Sequence, residues 1–178
     1  MLLISLAADN NERNNLRRVT VDKQRGQFYL FTQRRFLPFF ITQFLGALND
    51  NLFKNALLVI IVSAGISATA SNTNFLTNLA AGLFILPYFL FSTTAGQLAD
   101  KYDKSWLIRR VKFAEIIIML IGFFALYSMN IVLMMSVLFL LGVQSAFFGP
   151  IKYSIIPQHL SATELMAGNA QVGMGTFV

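Results

Sequence analysis

Cysteine is absent, histidine occurs once, and charged residues make up only 12% of the 178-residue chain. Without cysteine there are no disulfides and no thiolate metal sites. The sequence holds no Ser-His-Asp set, no acyltransferase-like His-x-x-x-x-Asp string and no nucleotide-binding loop. It therefore predicts neither an enzyme nor a resident cofactor, and no catalytic or metal-ligating residue is assigned. His159 stands alone and receives no role. What is abundant is apolar: 56% of the residues are hydrophobic, in runs long enough for membrane helices, which places the chain in the membrane class.

The formal charge of +6 does not predict a nucleic-acid partner, because its distribution follows a membrane topology. Seven of the fourteen Lys and Arg residues precede Phe36, and five more fall between positions 101 and 112. Apart from Lys54, every basic residue lies in the N-terminal tail, the 99–112 loop or the 150–166 segment. The intervening loops, 65–74 and 129–131, carry none. The positive-inside rule then predicts a multi-pass protein with a cytoplasmic N-terminus. Arg34 and Arg35 abut the first membrane helix, where anionic headgroups attract them.

In chain order, residues 1–35 read as a basic cytoplasmic tail with an amphipathic portion near 28–31. Residues 1–8 are too short to span and lack a signal-peptide layout. Membrane helices are expected over 36–64, 75–98, 105–129 and 131–149. Pro87 within the second is tolerable where neighbours or water satisfy the freed carbonyl. The polar segment 150–165 carries Pro150 and Pro157 and ends in a capping box, Ser161 with Glu164. A further helix starts at about 165 and is too short within this chain to cross a bilayer. The expected fold is an all-α membrane protein with about four complete transmembrane helices plus the start of a fifth. Residues 36–178 thus read as the front part of a longer polytopic protein.

Positions 43–55, QFLGALNDNLFKN, form a polar island inside the first helix. Asp50 falls at the midpoint of a helix roughly 43 Å long at ~1.5 Å per residue. An isolated carboxylate there costs at least ~2.5 kcal/mol, so it needs a partner or a wet cavity. Lys54 follows one turn later in the favourable acid-before-base order, unless it snorkels outward and leaves Asp50 alone. Asn49 and Asn51 add amides. Together Asn49, Asp50, Asn51 and Lys54 are expected to line a substrate or ion path; the plainer alternative is structural glue between helices. Glu115 is expected to pair with Lys112 at the inner interface or to relay an ion. Lys152 is expected near the inner headgroups, as a topological anchor or a contact to lipid phosphate. Tyr102 and Trp106 suit interfacial aromatic anchors.

A second constellation is Gly96-x-x-x-Asp100-Lys101-x-x-Lys104. Gly96 would allow close helix approach, Asp100 would face a helix N-terminus, and Lys101 and Lys104 would form ion pairs. It resembles the loop of the major facilitator superfamily, Gly-x-Leu-Ala-Asp-Arg-x-Gly-Arg-Lys, between helices two and three. Asp103 stands where that pattern has glycine, and Ser105 replaces a basic residue. The resemblance implies a gating role for Gly96, Asp100, Lys101 and Lys104; otherwise this is a solvated loop that fixes topology.

Longer strings narrow the likeness. RRFLPFFITQFLGALNDNLFKNAL at 34–57, GQLADKYDKS at 96–105, FFGPIKYSIIPQHL at 147–160 and AGNA at 167–170 resemble the lysophospholipid transporter family of that superfamily. The resemblance runs from about Arg34 onward. It implies a bacterial inner-membrane carrier that brings lysophospholipids, chiefly lysophosphatidylethanolamine, to the inner leaflet, where an acyltransferase partner or fused domain re-acylates them. It also implies two six-helix halves with the site between them, of which this chain supplies part. Asp50 and Asn51 match the family's Asp-Asn pair, which is tied to transport and to a coupling cation, Na+ or H+. An acid for the ammonium (Asp50) and a base for the phosphate (Lys54) would suit such a headgroup. Three readings stand beside this one: a carrier of another amphiphile or drug, the membrane portion of a fused lipid acyltransferase, and an inactive fragment.

Overall fold

Backbone amides surrounded by apolar side chains and lipid have no water to bond, so long apolar runs must close their hydrogen bonds internally as helices. The computed structural model describes residues 27–63, 70–161 and 164–177, and among these all regular structure is helical. A short 3-10 helix, Gln27–Thr32, precedes five α-helices: α1 Leu37–Ser63, α2 Ala70–Lys101, α3 Lys104–Tyr127, α4 Ile131–His159 and α5 Leu165–Met174. The expected tail up to residue 26 and positions 65–69 of the 65–74 loop lie outside the described residues.

Helices α1, α2 and α4 are long and apolar enough to cross a membrane. Helix α3 differs in composition, since Lys104, Arg109, Arg110, Lys112 and Glu115 crowd its first half. Its start is fixed by Asp103, whose carboxylate accepts the Trp106 N–H at 2.8 Å. One of the two residues that depart from the superfamily pattern is thus the cap of α3.

Two helix boundaries differ from expectation. Helix α2 begins at Ala70 and not at 75, so the Ser-Asn-Thr-Asn run forms its opening instead of a loop; such short polar side chains suit a helix start. Helix α4 continues through Pro150 and Pro157 to His159, well past 149. Each proline removes one backbone donor, whereas unwinding the segment would release several. The turn between α3 and α4 is made by Met129 at a positive φ of 50°, and Asn130 Oδ1 caps α4 by accepting the Leu133 N–H at 3.1 Å.

Helix α4 is the central element, packing most extensively on α2 and next on α3. The main core joins Phe53, Leu57 and Ile61 of α1 to Ala80 of α2, Ile118 and Ala125 of α3, and Met134, Leu138 and Leu141 of α4. Helices α2 and α4 approach closely at Gly142, where an added Cβ would lie 2.5 Å from the Phe84 carbonyl oxygen and 3.1 Å from Pro87 Cγ. Gly96 does not perform that role: a Cβ there meets nothing within 4 Å.

At the basic end of the bundle, Leu30, Phe36, Ile156, Leu160 and Val172 form a second apolar cluster that ties the 3-10 helix, α1, α4 and α5 together. Above it, Arg35 Nη2 donates to both carboxylate oxygens of Glu164, at 2.8 and 2.7 Å. The same carboxylate accepts the Ser161 N–H at 3.0 Å and its hydroxyl at 2.8 Å, which is the carboxylate arm of the expected capping box. Partial burial favours the neutral acid, but the Ser161 bonds and the Arg35 charge outweigh it and hold the Glu164 carboxyl below its ordinary value.

Candidate functional site

Asp50 is only 7% exposed, facing α4 from the middle of α1. The Ser145 hydroxyl donates to its Oδ2 at 2.5 Å and also lies 3.1 Å from Gln144 Oε1. Among the described residues, Oδ1 of Asp50 is buried with no hydrogen-bond partner. A buried polar oxygen left unpaired is costly, and sites of this kind call for a ligand or an ion.

Beside it lies a partly buried dyad on α3. Lys112 Nζ donates to Glu115 Oε2 at 2.7 Å, as expected from the sequence, and Gln144 Nε2 donates to the same oxygen at 2.7 Å. Lys112 also sits 4.6 Å from the Phe148 ring centroid. Gly46 of α1 makes the room, because a Cβ there would collide with Lys112 Nζ.

Lys152 corrects the expectation most sharply. It is 8% exposed and points inward, and so does not anchor at the headgroups. Its Nζ donates to Thr176 Oγ1 at 2.9 Å, and the same hydroxyl accepts Gln43 Nε2 at 3.0 Å while donating to the Val172 carbonyl at 2.8 Å. One threonine thus joins α1, α4 and the end of α5.

All these groups face a single cavity of about 150 Å³. Its ionisable lining is Asp50, Glu115, Lys112, Lys152 and Tyr88. Two acids and two bases give a formal charge of zero, in a space walled otherwise by amides, a serine, a threonine and phenylalanine rings. Such a cavity can hold a small ion or a zwitterion, with Asp50 Oδ1 and Gln43 Oε1 as buried acceptors without partners among the described residues.

Of the four path residues expected from the sequence, Asp50 and Asn51 line this cavity. Lys54 does not, and it forms no ion pair with Asp50: its Nζ donates to Asn51 Oδ1 at 2.8 Å and lies 5.5 Å from the Phe84 ring centroid. The i,i+4 rule misplaced it because the uncharged amide one residue closer satisfies the ammonium. Asn49 faces a separate groove of about 330 Å³, shared with Glu115, Ile116, Met119 and Leu120. The expected gating residues stand apart at the end of α2: Asp100 and Lys101 are exposed, and among the described residues Lys101 and Lys104 make no ion pair. Tyr102 and Trp106 are half exposed and stacked at 6.0 Å, as interfacial anchors would be.

The sequence reading overlooked Gln43, Gln144, Ser145 and Thr176. A signal existed for three of them, since Gln43 opens the polar island of α1 and Gln144-Ser145 interrupts the otherwise apolar run of α4. Compared with family models, characterised proteins and solved structures, the chain gives no match.

Proposed function

We propose that the chain forms the first helices of a major facilitator superfamily carrier that moves lysophospholipids, foremost lysophosphatidylethanolamine, across the bacterial inner membrane for re-acylation. The observation that carries this reading is the cavity, in which two acids and two bases of cancelling formal charge face one polar space between apolar helices. Intramembrane ionisable residues gathered in this way mark substrate and ion paths. A lysophosphatidylethanolamine headgroup has the matching composition, one ammonium and one phosphate, while its acyl chain can stay in lipid.

In this reading Asp50 Oδ1 receives the ammonium. Lys152, and not Lys54, receives the phosphate, because Lys152 lines the cavity. A coupling cation, Na+ or H+, would act at the same oxygen of Asp50. Helix α3 crosses the bilayer as a fourth span with Lys112 and Glu115 turned to the cavity, and α5 opens a fifth. The basic end faces the cytoplasm, and the Gly96–Asp100–Lys101–Lys104 turn serves there as a gate, a role that rests on the resemblance alone.

The test is uptake of radiolabelled lysophosphatidylethanolamine by energised cells with Asp50→Asn introduced at the genomic locus. Uptake is expected to fall about tenfold or more at unchanged protein level, as befits loss of a buried charge contact. Unchanged uptake overturns the reading. Inhibition by an unrelated amphiphile but not by unlabelled lysolipid would favour a carrier of another substrate.

A further inference from the structure

We infer that Lys101, Tyr102, Trp106, Arg109 and Arg110, with the apolar face of α3 that continues from them, bind an anionic glycerophospholipid of the surrounding bilayer. The inference is independent of what the cavity carries.

Four cations gather where α2 meets α3, and Lys101, Lys104, Arg109 and Arg110 make no ion pair with any described carboxylate. Among the described residues, the ion pairs join Arg35 to Glu164 and Lys112 to Glu115. Of the two nearby acids, Asp103 is occupied in capping α3 and Asp100 is exposed at the end of α2. The patch therefore keeps an excess of two positive charges.

Two of these cations, Lys101 and Arg110, lie over aromatic faces. Arg110 Cζ lies 5.1 Å from the Trp106 ring centroid, Trp106 stacks on Tyr102 at 6.0 Å, and Lys101 Nζ lies 5.7 Å from the Tyr102 ring centroid. A guanidinium over an indole is attracted by the ring quadrupole and loses part of its rotamer freedom before any ligand arrives. Trp and Tyr also prefer the depth of the lipid headgroups.

Beyond the arginines the same helix becomes apolar and stays exposed. Steps of four and three residues from Arg109 lead to Phe113, Ile116, Leu120 and Phe123, all on one side of α3 and all open. The surface is thus cationic at one end and apolar along the next three turns. A soluble anion would use only the first part, and an apolar partner helix only the second. A phospholipid with a net negative headgroup uses both, its phosphate against Arg109 and Arg110 and its acyl chain along the row beyond.

Trp106 is the only tryptophan in the chain, so its fluorescence reports on this surface directly. The full chain would be reconstituted in phosphatidylcholine vesicles, with dibrominated phosphatidylglycerol or dibrominated phosphatidylcholine added as quencher. Phosphatidylglycerol is expected to quench at a several-fold lower mole fraction, about fivefold for each arginine that contributes. In the Arg109→Gln/Arg110→Gln variant the two quenchers should become equivalent. Equal quenching by both lipids in the unaltered chain overturns the inference, as does a preference that survives in the double variant. Should that variant fail to fold, Lys101→Gln/Lys104→Gln replaces it: a weakened preference supports the inference, and an unchanged one overturns it.

Discussion

Asp50 is held from across the bundle by Ser145, a residue 95 positions away in sequence, and Lys152 is held by Thr176. Both contacts leave the ionisable group facing the cavity with capacity to spare. If Lys152 receives the phosphate, Lys152→Gln should weaken apparent lysolipid affinity about tenfold in uptake kinetics, whereas Lys54→Gln should leave it nearly unchanged. The reverse order would restore Lys54 to the path. Asp50 was legible in the sequence, because a lone carboxylate deep in an apolar run demands compensation. Its partner was not, because helical spacing reveals neighbours on one helix and is blind to those on another. The Lys112–Glu115 pair, being local, was legible for the same reason.

Between elements, a close approach falls at Gly142, against a backbone carbonyl that cannot swing aside. Gly142→Val should therefore separate α2 from α4 and destabilise the bundle by about 1–3 kcal/mol, read as a lower melting temperature in detergent. Gly96→Ala should be neutral or stabilise by about 0.5–1 kcal/mol, since it fills open space and favours the helix. The sequence motif suggested the opposite ranking. A glycine in a recognisable loop draws notice, while a glycine in LLGVQS announces nothing until the facing helix is known. Helix existence was legible from apolar runs; helix ends were misjudged at Pro150 and Pro157, where the local breaker signal yields to the backbone's need for internal hydrogen bonds.

At the scale of the whole molecule, the Arg35–Glu164 pair closes the basic end by joining the start of α1 to the start of α5. Glu164 titrates below its ordinary value of 4.5 in the folded chain, so the pair adds stability that is fully present above that pH. The contribution disappears as pH falls through the depressed folded value. Arg35 is 44% exposed, so the effect should be small, about 0.2–1 kcal/mol. Melting temperature should drop as pH falls below about 4.5, and the part due to this pair should be absent in Glu164→Gln.

The central claim is that a polar, solvent-reachable cavity at Asp50 lies within the membrane and accepts a lysolipid headgroup. Because the chain has no cysteine, a single Ser145→Cys provides the most direct measurement: the rate of reaction with a membrane-impermeant cationic thiosulfonate in membranes, with and without lysophosphatidylethanolamine. The account expects Ser145→Cys to react, the lysolipid to slow it, and Phe124→Cys on the exposed apolar face of α3 to stay inert. A Ser145→Cys thiol as inert as the Phe124→Cys control, or one that reacts at the same rate with lysolipid present, would contradict it.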